Sequence, residues 1–269
     1  FHDAKNEHST LCTVQVVRTS RVSPHVIRVT VGGEQLSTLP DLGFDQWFRL
    51  ILPNETGDTN FDLPTKLGLI GYLQYKRIPE AIRPVLRNYT IREFRKAQLE
   101  LDIDFVVHGD ADDAASGIAN RWAQRAQPGE TVALLDQGVG YGFDAETTEH
   151  LIVGDETGMP GIVGILRDLP RDASGLAIIE IPHEDDAQAV DAPIGMEVRW
   201  IVRTPQTAPG AAALAIVKEY VPASPATLSA YIVGERELPT GARRHLVAAG
   251  VPKSRILFVG FWRLGKAQY

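Results

Sequence analysis

Arg87, Tyr89 and Thr90 stand at positions i, i+2 and i+3 of the run Pro84-Val85-Leu86-Arg87-Asn88-Tyr89-Thr90. On a strand, alternate side chains share a face, so Arg87 and Tyr89 point to one side. The guanidinium can hold an anion and the ring can cover a flat heterocycle. The threonine hydroxyl offers a short polar contact at that heterocycle's edge. The set suits a flavin with a phosphate tail; the same residues also make an ordinary half-buried strand.

A second device lies further along, in Ser116-Gly117-Ile118-Ala119-Asn120-Arg121-Trp122-Ala123. Small residues open a helix whose first N–H groups lack intrahelical acceptors and can bind phosphate, and a glycine lets the phosphate come close. Asn120 adds a side-chain donor. The alternative is a capped helix whose tryptophan packs on the sheet below. His108, before Gly109, either contacts a cofactor or caps the strand that it ends.

The second half carries Gly154-Asp155-Glu156-Thr157-Gly158-Met159-Pro160 directly after an apolar strand. That place suits a nicotinamide dinucleotide lying across the carboxyl ends of a parallel sheet. Asp155, Glu156 and Thr157 can also simply cap the following helix. Arg203 and Gly234-Glu235 follow later strands on the same expected rim. Arg203 is either a reader of the extra phosphate of NADPH or a solvated base. The terminal Phe258-Val259-Gly260-Phe261-Trp262-Arg263-Leu264-Gly265-Lys266 brings Trp262, Arg263 and Lys266 to a rim, where the tryptophan either closes over the flavin or docks the two domains and the bases either attract an anion or are solvated. No Ser-His-Asp order or glycine-flanked nucleophile stands out, and redox chemistry needs none. No catalytic side chain and no protein-bound metal is therefore expected. His183-Glu184-Asp185-Asp186 reads as a solvated loop.

The elements around these residues fall into two kinds. Residues 12–19, 25–31, 46–52, 86–91, 99–108 and 131–135 are alternating or β-branched runs, broken by Pro24, Gly32-Gly33 and Pro53-Asn54. In the fifth run Leu99, Leu101, Ile103 and Phe105 alternate with polar residues, as in a strand wet on one side. Six strands with one inserted helix predict an antiparallel β-barrel for residues 1–145. Residues 54–84 are less regular. From 146 the chain alternates strands (149–154, 176–181, 196–202, 228–233, 255–261) with helices (to 169, 211–219, 240–249). This predicts an α/β domain with a parallel sheet over residues 146–269.

Composition bounds the function. Asp and Glu number 34 against 27 Lys and Arg, a net charge of -7, which argues against nucleic acid as partner. No apolar run reaches the roughly 18 residues of a membrane span. One cysteine, Cys12, excludes an internal disulfide and reads as buried filler in a strand. The first residues lack the pattern of a signal peptide. A cytoplasmic monomer is the expectation.

The order of Arg87-Asn88-Tyr89-Thr90, His108-Gly109, Gly117-Ile118-Ala119-Asn120-Arg121-Trp122-Ala123, Gly154-Asp155-Glu156-Thr157 with Pro160, Gly234-Glu235 and Trp262-Arg263-Leu264-Gly265 resembles the siderophore-interacting proteins. These are flavin-dependent ferric-siderophore reductases related to ferredoxin–NADP reductases. The resemblance implies that Arg87 holds the FAD diphosphate, Tyr89 lies against the isoalloxazine and Thr90 contacts it near its reactive nitrogen. Gly117, Ile118, Ala119 and Asn120 would support the diphosphate, although the family often has Gly-Pro-Ala-Ser there. The implied electron donor is NADPH, NADH or ferredoxin. The implied substrate is a ferric siderophore, drawn to a basic mouth for which Lys66, Lys76, Arg77, Arg263 and Lys266 are candidates. The alternatives are a general flavin or ferredoxin reductase, and a siderophore-binding protein that does not reduce iron.

Overall fold

The computed structural model describes residues 10–54, 59–61, 63, 69–109, 111–112 and 117–266. They form two compact units. The first holds most of the chain up to Val139. The second runs from Gly140 and also takes in Ser23–His25 and Gly43–Asp45.

The first unit is a seven-stranded sheet in the order β4-β3-β7-β1-β2-β6-β5. Its strands are β1 (Leu11–Ser23), β2 (Val26–Gly32), β3 (Trp47–Leu52), β4 (Val85–Thr90), β5 (Glu93–Arg95), β6 (Glu100–Val106) and β7 (Thr131–Gly138). The registers at β1–β7, β3–β7, β3–β4, β2–β6 and β5–β6 are antiparallel. The six expected strands are all present, with β5 added as a short edge. The ladder has ends at β4 and β5, yet the sheet curls enough for Tyr89 of β4 to pack on Phe105 of β6.

Alternation builds the core: Val14, Val29, Val31, Leu50, Leu101, Ile103, Phe105 and Leu134 all lie inside it. Cys12 is there too, fully buried, its thiol donating to the Gln35 carbonyl at 3.3 Å. The opposite face of β6 is not wet. Asp102 and Asp104 are buried because neighbouring strands supply their partners. Arg95 makes two 2.7 Å contacts to Asp102, Thr30 a third, and Arg28 grips Asp104 at 2.7 and 2.9 Å. Periodicity within one strand cannot reveal charges that arrive by cross-strand pairing.

Within the irregular stretch lies α1 (Leu69–Arg77). Arg83 closes its end by donating to the carbonyls of Lys76 and Ile78. Tyr75 and Ile78, with Phe61 and Leu63, pack on Ile51, Ala133 and Leu135, covering the sheet's second face. Helix α2 (Ile118–Arg125) lays Trp122 on Phe105 at 5.5 Å, and the indole N–H donates to Glu130 at 3.0 Å.

The second unit is a five-stranded sheet, β10-β9-β8-β11-β12, parallel throughout. Its elements are β8 (Glu149–Gly154), α3 (Met159–Asp168), β9 (Ser174–Ile181), β10 (Gly195–Val202), α4 (Ala211–Glu219), β11 (Leu228–Glu235), α5 (Glu237–Ala248) and β12 (Ile256–Trp262). Helices α4 and α5 cover one face through Ala213, Val217, Leu238, Ala242 and Leu246. On α3, a Cβ at Gly161 would stand 2.8 Å from the Tyr231 hydroxyl. One at Gly164 would stand 2.0 Å from the Phe44 carbonyl oxygen, so glycine is required for that approach. Asp45, beside Phe44, is buried and accepts from the Gly140 and Tyr141 amides at 3.1 and 2.9 Å.

Asp186 does not lie in a solvated loop. It is fully buried and accepts from the Ser23 hydroxyl at 2.6 Å and the His25 amide at 3.0 Å, with the His25 ring 2.7 Å away. Among the described residues no helix is long and apolar enough to cross a membrane.

Candidate functional site

In the first unit, β4 sets the arginine and tyrosine. Its register pairs Arg87 with Leu50 and Tyr89 with Phe48, so both belong to one face of the sheet. The Arg87 guanidinium is half-buried and donates to the Leu86 carbonyl at 2.8 Å. The Tyr89 ring lies 4.4 Å from Phe105, tilted by 44°. Burial pushes its phenol pKa up and the Arg87 charge opposes that shift. Thr90 closes the strand opposite Trp47.

Helix α2 begins at Gly117 with φ +73, a left-handed conformation that favours glycine. Its N-cap glycine has no side chain to cap the first turn, and among the described residues nothing lies within 4 Å of where a Cβ would stand. Among the described residues the helix's hydrogen bonds begin with Arg121 N–H to Gly117 O, after the N–H groups of Ile118, Ala119 and Asn120. This is a cradle for an anion. The Asn120 amide points elsewhere: it donates to the His108 carbonyl at 2.7 Å and accepts from Gln124 at 2.9 Å. His108 therefore meets α2 through its backbone, while its side chain is exposed. Arginine, aromatic ring and a helix start opened by glycine are groups that suit a phosphorylated, planar cofactor, and the residues present fit FAD.

In the second unit the strand order reverses between β8 and β11, the usual ligand crevice of a doubly wound sheet. Asp155 ends β8 there with no exposed surface. One carboxylate oxygen accepts from the Thr157 amide at 2.9 Å and its hydroxyl at 2.5 Å. The other accepts from the Glu235 amide at 2.6 Å and the Trp262 indole at 3.0 Å. One side chain thus ties together the ends of β8, β11 and β12. Gly234, at φ +123, is required because a Cβ would lie 2.6 Å from the Asp155 carboxyl. Burial, then the Glu156 charge, pushes the Asp155 pKa up to about 6, against the pull of its donors.

The other rim residues are engaged as well. Glu235 accepts from the Glu237 amide at 2.7 Å, closing the start of α5, and from the Leu264 amide at 3.2 Å. Arg203 grips Glu156 through both terminal nitrogens at 2.5 and 2.6 Å. It is therefore not a solvated base.

The basic candidates are distributed over both units. Lys76 and Arg77 sit exposed in the last turn of α1, and Arg263 and Lys266 exposed beyond β12. Lys66 lies outside the described residues. Among the described residues no group of three or more His, Cys, Asp or Glu side chains could hold a metal ion. Sequence reasoning passed over Asp45 and read Asp186 as solvated; only long-range partners distinguish these buried acids from surface.

Comparison with known proteins agrees with this division. The model of the siderophore-interacting FAD-binding domain matches residues 15–140, and that of the siderophore-interacting protein matches 147–265. The chain is 31% identical to the ferric vibriobactin reductase ViuB of Vibrio cholerae, over 93% of this chain and 88% of that protein. It is 26% identical to the NADPH-dependent ferric-chelate reductase of Escherichia coli, over 92% and 91% of the two chains. The crystal structure of the siderophore-interacting protein SipS from Aeromonas hydrophila superposes with a TM-score of 0.78 at 28% identity, covering 96% of this chain and 94% of that one. With both halves matched in order, the chain belongs to the siderophore-interacting protein family.

Proposed function

We propose that this protein is a ferric-siderophore reductase, moving electrons from NADPH or NADH through FAD to siderophore-bound Fe(III) and releasing Fe(II). The supporting observation is the union of two features: an Arg-x-Tyr-Thr strand and a glycine-started helix α2 that pack on the same ring, Tyr89 and Trp122 both meeting Phe105, and a parallel sheet with its reversal at β8 and β11. Reduction with ferredoxin as donor, and a cytosolic monomer as the working form, belong to the same reading. So does closure of the curled first sheet into a barrel.

FAD held there would supply hydride acceptance from a nicotinamide and one-electron delivery to iron. Per NAD(P)H oxidised, two Fe(III) become two Fe(II) and one proton is released. The residues of the chain bind and orient. Arg87 and the first amides of α2 neutralise the diphosphate. Tyr89 and Thr90 would hold the flavin ring. Asp155 holds Trp262, the Glu235 backbone and Thr157 in one arrangement at the rim that receives the nicotinamide. Iron is substrate: siderophores grip Fe(III) with hard oxygen donors, and the added electron weakens that grip. Lys66, Lys76, Arg77, Arg263 and Lys266 attract the anionic chelate.

Anaerobic stopped-flow spectroscopy tests the reading. The flavin of the purified protein should bleach with NADH or NADPH and recover its colour on adding catecholate or hydroxamate iron complexes, with Fe(II) trapped by a ferrous chelator. Reduced protein that ferric siderophores fail to reoxidise would be a different enzyme. Tight chelate binding without Fe(II) would mark a carrier.

A further inference from the structure

In a doubly wound sheet the adenosine half of a dinucleotide lies over the first strands, where an acidic group receives the ribose 2′-hydroxyl or an arginine receives a 2′-phosphate. On this chain that side is made by β8, β9 and β10. An arginine on that side is Arg203, directly after β10, its amide fixed to the Ile181 carbonyl at 3.0 Å.

That arginine is already matched by acid. Glu156, itself 5% exposed, takes both terminal nitrogens, and Glu180 lies 3.7 Å away. Glu180 is fully buried and accepts from the Gly210 and Ala213 amides at 2.7 and 2.9 Å. The start of α4, a second place where a phosphate could settle, is thus filled by an internal carboxylate.

Resting on the nicotinamide donor of the reading above, we propose that Glu156 makes this rim selective for NADH over NADPH by holding Arg203 away from a 2′-phosphate. To recruit Arg203, the phosphate would break a two-point ion pair and leave Glu156 buried and unpaired, with Glu180 also 3.7 Å from the guanidinium. A ribose 2′-hydroxyl brings no charge and can donate to a carboxylate. Glu156 acts through Arg203 and through its own charge; it is a specificity residue.

Calorimetric titration of the FAD-loaded protein with NAD+ and NADP+ tests this without turnover. NAD+ should bind about tenfold tighter or better, and Glu156→Gln should narrow the gap about tenfold by strengthening NADP+. Equal or tighter binding of NADP+ to the wild type overturns the proposal. So does a Glu156→Gln protein with an unchanged ratio, or a wild type that binds neither nucleotide. The wild-type comparison stands even if the variant folds poorly. Chemically reduced protein that still reduces a ferric siderophore keeps the reductase reading intact whatever the nucleotide result.

Discussion

The Trp262 indole N–H donates to the Asp155 carboxylate across 107 residues of chain at 3.0 Å, joining the last strand of the parallel sheet to its first. Trp262→Phe keeps an aromatic ring but removes this donor together with the five-membered half of the indole. The loss should be about 1.5–3 kcal/mol, as for a hydrogen bond to a charged group. Urea unfolding of the flavin-loaded protein measures it, and an unchanged midpoint would show the bond to be incidental.

Asp155 also makes a pH prediction. Its folded pKa, about 6, lies above the ordinary 3.8, so the folded state binds the proton more tightly than the unfolded state. Its contribution to stability is full below about pH 4 and fades as pH rises through 6, by up to about 3 kcal/mol. Asp155→Asn removes that downward slope. The stability difference between wild type and variant should therefore change across pH 4–6 and be flat from pH 7 upward. Denaturant titrations at stepped pH report it, and a flat difference throughout would assign the slope to other groups.

Arg87→Ala should weaken FAD retention by about tenfold or more, the worth of one charge-assisted contact to phosphate. Flavin released on dialysis, followed at its visible absorbance, gives the answer. Full occupancy of the variant would take Arg87 out of the binding site.

Gly164→Ala puts a methyl 2.0 Å from the Phe44 carbonyl oxygen, a distance that no rotamer can relieve. Backbone movement must absorb it, at a cost of about 1–3 kcal/mol or more. Gly117→Ala is the contrast, since among the described residues nothing lies within 4 Å of the added methyl, and its φ of +73 is strained. It should cost about 1–2 kcal/mol in stability, and any further loss of FAD affinity would mark the methyl as lying in the anion's path. Thermal and flavin-release assays on both variants separate the two cases.

Neutralising Lys76, Arg77 and Lys266 together should raise KM for an anionic ferric siderophore and flatten its salt dependence. All three are exposed, so folding should be little affected. Unchanged KM and salt response would place the substrate's charge partner elsewhere.

What could be read from residue order alone was whatever depends on local period and punctuation. Every strand of the parallel sheet, and the six main strands of the first unit, follow from alternation, apolar runs and turn residues. The Arg87–Tyr89 face follows from the two-residue repeat, and the rim at Asp155 from its place after an apolar strand. Tertiary structure decided the partners. Asp102, Asp104 and Asp186 resemble surface acids in the chain, and become core because Arg95, Arg28, Ser23 and His25 arrive from elsewhere to satisfy them. Arg203 resembles a free phosphate reader until Glu156 meets it 47 residues away. A charge's role depends on who neutralises it, and neutralisation acts through space between residues whose separation along the chain carries no periodic signal.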